Sequence, residues 1–340
     1  MTDPRRNAQA TTPGRALIAR LPAVRGRLTP DAPLQDLCWF RTGGPADVLF
    51  EPADAADLAQ FIRQLDRDVP VTVLGLGSNV LVRDGGIAGV VVRLGARFRP
   101  VAVDGCRVEA GAGASGMQVA TAARTAGLAG FEFLRGVPGT VGGAVAMNAG
   151  AYGQDTSDVL VEVQGVTPEG HLVRRAKAEI GFGYRQAPGA ADLIVTAAVF
   201  EGRADDPGAI QDRMDRIAAE REASQPLRTR TTGSTFKNPP GDRRAWELID
   251  RAGCRGLTRG HAQVSEKHCN FLINRESRAS AADLEALGEE VRRRVAETFG
   301  VTLDWEIRRL GRPAPAVPPA HAPDNGPGSD PDTDQRGDRP

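Results

Sequence analysis

Apolar positions in this chain fall into short β-branched runs cut by glycines, with a few longer stretches at helical spacing between them. Val71–Leu74, Val80–Val82 and residues 90–92 are strand-sized runs bounded by turn residues. Residues 101–110 carry Asp104-Gly105 at their middle, which predicts a hairpin. Residues 159–167 and 172–174 predict a second, turning at Glu169-Gly170, before an apolar strand over 193–200. The helical signals are fewer and sharper. A helix over 54–65 follows Pro52, Ser115 caps one that stops at Gly127, and Ser280-Ala281-Ala282-Asp283 is a capping box opening a helix to Phe299. In the last of these, Leu284, Leu287, Val291 and Val295 make one stripe, and Gly300 supplies the stop. Residues 205–222 read as a polar helix leading away from the β-rich part.

No regular βαβ alternation and no fixed-period repeat is present, so the class is α+β. A boundary near Gly202 gives an arm and lead-in over 1–34, a first domain over 35–204, a second over 205–312 and a tail over 313–340. The tail holds eight of the 24 prolines and almost no large apolar residue, so it is expected to be disordered. Residues 1–15 are expected to form a loose arm.

Composition narrows the function classes. Across 340 residues, 43 basic side chains cancel 43 acidic ones, which excludes a broadly basic nucleic-acid surface, so an anionic partner must be gripped locally. The apolar runs are too short to span a bilayer, and the N-terminus lacks the apolar core of a secretory signal. Cys38, Cys106, Cys254 and Cys269 are widely spaced with no CxxC pair, as expected of reduced thiols in a cytoplasmic protein without membrane attachment.

Four segments could carry chemistry. Gly75-Leu76-Gly77-Ser78-Asn79 joins two strand-like runs; without a following helix it is not a dinucleotide fingerprint, but it can form an anion nest of backbone N–H groups. Residues 135–153 contain six glycines but no Gly-Lys-Ser/Thr ending, which favours close backbone approach to a flat or phosphorylated ligand over nucleotide hydrolysis. Thr232-Gly233-Ser234-Thr235-Phe236-Lys237-Asn238-Pro239 holds one of only three lysines in the chain. Residues 260–274 bring His261, His268 and Cys269 together in a spacing that fits no common zinc pattern, so no metal is expected and polar recognition is favoured. The residues alone therefore reach a two-domain protein that binds a phosphorylated ligand.

In order and spacing these segments resemble the UDP-N-acetylenolpyruvoylglucosamine reductase family, flavoenzymes of peptidoglycan precursor synthesis. The resemblance covers residues 36–311. It is carried by Phe40-Arg41-Thr42-Gly43-Gly44-Pro45-Ala46-Asp47, residues 74–82, 130–153, Gly183-Tyr184-Arg185, 233–239, 262–274 and Trp305-Glu306-Ile307. It implies an FAD-binding domain of the vanillyl-alcohol-oxidase (PCMH) type and a smaller α+β substrate-binding domain, with NADPH as reductant and UDP-N-acetylglucosamine enolpyruvate as substrate. Arg185 and Glu306 match residues that stabilise the enolate-like intermediate, and Ser234 the proton donor. Gly75, Gly77, Ser78, Asn79, Gly113, Gly139, Thr140, Gly142, Gly143, Asn148 and Gly150 fall at cofactor positions, and Tyr184, Lys237, Asn238, His268 and Asn270 at substrate positions.

The chain has only Tyr152 and Tyr184, which places it with the shorter members lacking an inserted tyrosine loop. Gly260-His261-Ala262 stands where Gly-Gly-Ala is usual, and Asp304-Trp305-Glu306 where Glu-Pro-Glu or similar is usual. A monomer is expected. An FAD-dependent alcohol oxidase of the same fold, or a nucleotide-sugar binding protein without catalysis, are the competing readings.

Overall fold

The computed structural model describes residues 12–314; the outer parts of the expected arm and tail, 1–11 and 315–340, lie outside the described residues. Both expected hairpins form. Val101–Asp104 pairs with Arg107–Gly111 around Gly105, whose φ of +57° suits the turn, and Leu160–Val166 pairs with Leu172–Ala176. Ile194–Glu201 joins the two hairpins into an antiparallel five-stranded sheet. Gly116–Thr125 packs on it, opened by a reciprocal Ser115–Gln118 capping box.

A second, four-stranded sheet runs Arg27–Pro33, Pro45–Glu51, Ile87–Arg93, Val71–Leu74 in spatial order, the first pair antiparallel and the others parallel. Ala55–Gln64 buries Leu58, Phe61 and Ile62 against it, with Asp54 accepting the Asp57 N–H at its start. The expected lead-in is thus part of this sheet. Pro30 and Pro33 hide its strand from a sequence reading, yet the strand lies at an edge, where a missing N–H is tolerated.

The polar helix forms as Pro207–Ser224 but does not lead away from the first domain. Ile210 and Met214 enter that domain's core, and Arg213 Nε donates to the buried Glu132 at 2.9 Å. The helix therefore packs with the first domain, and the chain passes to the second domain after it rather than near Gly202.

The second domain is built on Ala281–Phe299, which ends at Gly300 in the left-handed conformation and packs its apolar stripe on the Ala262–Val264 and Leu272–Asn274 strands and on the Ala245–Arg251 helix. The chain then returns: Arg308–Leu310 pairs in parallel with Val80–Val82 of the first domain. Phe40 and Leu81 reach into the second domain's core, and Arg83 forks onto Glu285 at 2.9 and 2.8 Å.

Asn274 fastens the same seam. Its Nδ2 donates to the Phe40 carbonyl at 2.7 Å and its Oδ1 accepts the Ala279 N–H at 2.7 Å, all buried. Asn274→Ala strands two buried backbone groups at about 1–3 kcal/mol each, so denaturant unfolding should show a loss of about 2–6 kcal/mol.

Candidate active site

The seam gathers the site. Gly183 and Gln186 close a tight turn that holds Arg185 at a φ of +56°, outside the range a non-glycine residue prefers. Asn148, 2% exposed, donates from Nδ2 to the Gly183 carbonyl at 3.1 Å and to Asp155 at 2.9 Å, while its Oδ1 accepts the Ser157 N–H. It is therefore a brace for this turn, with its amide already committed. Arg185 then spans two elements: Nε donates to Glu306 Oε1 at 2.8 Å and a terminal nitrogen to the Gly150 carbonyl at 2.9 Å. The two side chains are 20% and 12% exposed, so their attraction is only partly screened by water. The guanidinium also lies 5.1 Å from the ring centroid of the exposed Tyr184.

Glu306 is fixed from behind. Its N–H donates to the Thr235 carbonyl at 2.8 Å, its carbonyl accepts from Asn79 Nδ2 at 3.1 Å, and the Lys237 N–H donates to the Asp304 carbonyl at 2.8 Å. These bonds place Ser234 and Lys237 beside the Arg185–Glu306 pair, although 121 residues separate the two partners of that pair. The Ser234 hydroxyl and the Lys237 ammonium make no hydrogen bond or ion pair among the described residues, which leaves both free for a ligand.

The glycine segments divide their roles in a way sequence reading did not foresee. The N–H groups of Val141, Gly142 and Gly143, at the start of the Val141–Ala146 helix, donate to Ala114, Ala112 and the Thr140 hydroxyl. Gly113 donates to the Phe98 carbonyl, and a side chain there would meet the Leu94 carbonyl at 2.8 Å. These positions shape the scaffold. By contrast, the four consecutive N–H groups from Leu76 to Asn79 have no protein acceptor among the described residues, as an anion nest in this loop would require. Gly77 is required there: φ is +64°, and a Cβ would sit 2.4 Å from the Leu37 carbonyl. Ser78 donates to the Pro138 carbonyl at 3.3 Å, and a Cβ on Gly139 would fall 2.9 Å from its Oγ, which draws the two glycine segments together.

Two of the expected substrate contacts also hold backbone groups of their own domain. Asn270 is 5% exposed and brackets Phe236, its Oδ1 accepting the N–H at 2.9 Å and its Nδ2 donating to the carbonyl at 2.8 Å. Asn238 is exposed, but its Oδ1 accepts the Ala245 N–H at 3.0 Å at the start of the Ala245–Arg251 helix. His268 packs between Trp246 and Phe271, and burial lowers its pKa from the ordinary histidine value, which favours the neutral imidazole. Burial also pushes the Cys38 thiol up to about 12 and that of Cys269 to about 11, which leaves them unreactive.

Sequence reading missed Arg135 and Arg221. Arg221 neighbours both Arg135 and Tyr152, whose ring lies against Gly136 and the 207–224 helix, and neither arginine has an ion-pair partner among the described residues. Burial and the neighbouring Arg135 lower the pKa of Arg221, an arrangement that an anionic group would relieve. Near the end of the same helix, Gln225, Arg228, Thr229, Gln263 and Lys267 line an open cleft of about 550 Å³.

Comparison with known proteins now bears on this geometry. Residues 46–175 match the FAD binding domain model, and residues 225–310 match the model of the UDP-N-acetylenolpyruvoylglucosamine reductase C-terminal domain. The reductase of that name from Azorhizobium caulinodans is 56% identical over 299 residues, which cover 88% of this chain and 96% of that protein. That from Rhizorhabdus wittichii is 59% identical over 292 residues, covering 86% and 95%. The chain belongs to the UDP-N-acetylenolpyruvoylglucosamine reductase family. The crystal structure of the Thermus caldophilus UDP-N-acetylenolpyruvylglucosamine reductase superposes with a TM-score of 0.73 at 34% identity, covering 85% of this chain and 100% of that one. The first domain is accordingly an FAD-binding domain of the PCMH type, joined to a smaller α+β domain. Glu306 lies inside the segment matched by the C-terminal domain model, and Arg185 lies in the stretch between the two matched segments, so the pair ties that stretch to the second domain.

Proposed function

We propose that this protein reduces UDP-N-acetylglucosamine enolpyruvate to UDP-N-acetylmuramate, using NADPH and bound FAD, in peptidoglycan precursor synthesis. The observation that carries the reading is the Arg185–Glu306 pair, held across the domain seam beside the free hydroxyl-bearing Ser234 segment. FAD suits the residues present: the nest from Leu76 to Asn79 offers its pyrophosphate consecutive donors, and Ser78 and Gly139 bring the second glycine segment against it. When bound, FAD supplies the hydride that enters the terminal enolpyruvyl carbon.

The chain's own residues manage the charge and the proton. As the terminal carbon gains its hydrogen, negative charge spreads onto the substrate carboxylate. Arg185 is permanently cationic and can meet that charge without reorganising, since Glu306 and Gly150 already fix its orientation. Glu306 contributes if it shares a proton with the substrate carboxylate, because a bare carboxylate would repel the developing charge. Ser234 gives its hydroxyl proton to the adjacent carbon and regains one from solvent, so the substrate gains one hydride and one proton. Lys237 and the neighbouring arginines Arg135 and Arg221 supply local positive charge for phosphate groups in a chain of zero net charge. Among the described residues no helix is long and apolar enough to cross a membrane, and on this reading the protein acts in the cytoplasm as a monomer.

The test is an absorbance spectrum of the purified protein, followed by anaerobic NADPH oxidation with and without the enolpyruvyl substrate. Flavin bands with substrate-dependent NADPH consumption are expected. Flavin without that turnover, but with oxygen-dependent alcohol oxidation, would move the reading to the oxidase. Binding of the nucleotide sugar with no turnover would leave a non-catalytic binder.

A further inference from the structure

The geometry points to Trp305, with Glu289 and Gly288 behind it, as a positioning residue that sets where the Glu306 carboxyl stands; the inference rests on the reading of Glu306 in the proposed reaction. Trp305 stands in one of the segments where this chain departs from the pattern its resemblance implies, and three neighbouring segments pack around it. Its ring packs 5.0 Å from that of Phe236, two residues after Ser234, and the two residues also form a backbone bridge. Its Nε1 donates to Glu289 Oε1 at 2.9 Å on the Ala281–Phe299 helix. Arg309 stacks over the indole at 4.6 Å and donates to the same Glu289 oxygen at 2.9 Å and to Glu285 at 3.1 Å. A Cβ on Gly288 would lie 2.1 Å from the indole Cη2, so the helix carries glycine in its interior where the ring rests.

The coupling to chemistry follows from backbone geometry. Neighbouring residues of an extended segment point to opposite sides, so a shift of the indole on the helix side moves the Glu306 carboxyl on the site side. The same ring bears on Phe236, which is bracketed by Asn270, and so ties the Ser234 loop to the Glu306 segment. Trp305 thereby holds the proton donor and the carboxyl in one register. Neither the indole nor Glu289 is placed here to touch the substrate. Their loss should therefore appear in turnover rather than in binding.

The test uses the flavin-loaded enzyme with Trp305→Phe, which keeps a ring but loses the N–H, Glu289→Ala, Glu289→Gln and the Trp305→Phe/Glu289→Ala double variant. Each of the first two should lower kcat by about 10- to 100-fold through misplacement, with KM within about twofold and an unchanged flavin spectrum. The double variant should be no worse than the poorer single variant, and Glu289→Gln, which keeps an acceptor for the indole, should recover most of what Glu289→Ala loses. Unchanged kcat, multiplied losses in the double variant, or a KM that rises with the fall in kcat would overturn the inference. Should Trp305→Phe fail to fold, Glu289→Ala against Glu289→Gln decides it. If the unaltered enzyme does not turn over the enolpyruvyl substrate, the functional reading fails by itself. Positioning is then judged from a crystal structure of Glu289→Ala: a Glu306 carboxyl displaced from Arg185 upholds it, and an intact pair overturns it.

Discussion

Arg185→Lys is expected to lower kcat and kcat/KM together by about 100- to 1,000-fold, the scale of removing a preorganised donor from a developing anion. Lysine keeps the charge but not the fork. In the native site one guanidinium donates along Nε to Glu306 and from a terminal nitrogen to Gly150, two acceptors on separate elements. A single ammonium cannot reproduce both directions and still face a substrate carboxylate. The turn raises the stakes, because Arg185 is held at a φ of +56°, a conformation that disfavours L-residues by about 1–2 kcal/mol and persists only where its surroundings impose it. Arg185→Ala should be worse, since it leaves the 12%-exposed Glu306 side chain without its counter-charge. Steady-state kinetics with saturating NADPH make the measurement. A Lys variant with native kcat would show that charge alone suffices and that the observed fork has no part in turnover.

What could be read from the sequence was local. The capping boxes at Ser115 and Ser280 and the glycines at 105, 170 and 300 act within a few residues, and each marks the element boundary it implies. Long-range pairings left no such mark. Arg308–Leu310 joins Val80–Val82 in parallel across more than half the chain, and nothing in either three-residue strand names the other. The 207–224 helix buries little beyond Ile210 and Met214, so its polar surface hid which domain it belongs to. In the site, the family resemblance implied ligand contacts for Asn148 and Asn270, and in the structure their buried amides also satisfy backbone groups. Arg221 was lost among 40 arginines, and what distinguishes it is partial burial beside Arg135 with no carboxylate partner among the described residues. Arg185 and Glu306 were legible through family resemblance alone, because proximity across 121 residues is a property of the fold.

Ser234→Ala should abolish most turnover, by about 100- to 10,000-fold, the range that a positioned proton donor contributes. The argument rests on position. Ser234 precedes Thr235, whose carbonyl accepts the Glu306 N–H at 2.8 Å, so the hydroxyl-bearing residue and the carboxyl share one backbone junction. Its hydroxyl has no protein partner among the described residues, unlike the neighbouring Thr235 hydroxyl, which accepts the Leu272 N–H at 3.3 Å. A serine is a weak acid, but charge developing next to the substrate carboxylate makes the adjacent carbon a strong base, and the short path then governs the rate. The prediction separates the two halves of the reaction. Bleaching of the flavin absorbance by NADPH should keep its native rate in Ser234→Ala, while reoxidation by the enolpyruvyl substrate should slow by the full factor. Ser234→Cys, which retains an ionisable hydrogen, should recover part of the loss. A native reoxidation rate in Ser234→Ala would remove the serine from the proton path and leave solvent, admitted beside Lys237, as the donor.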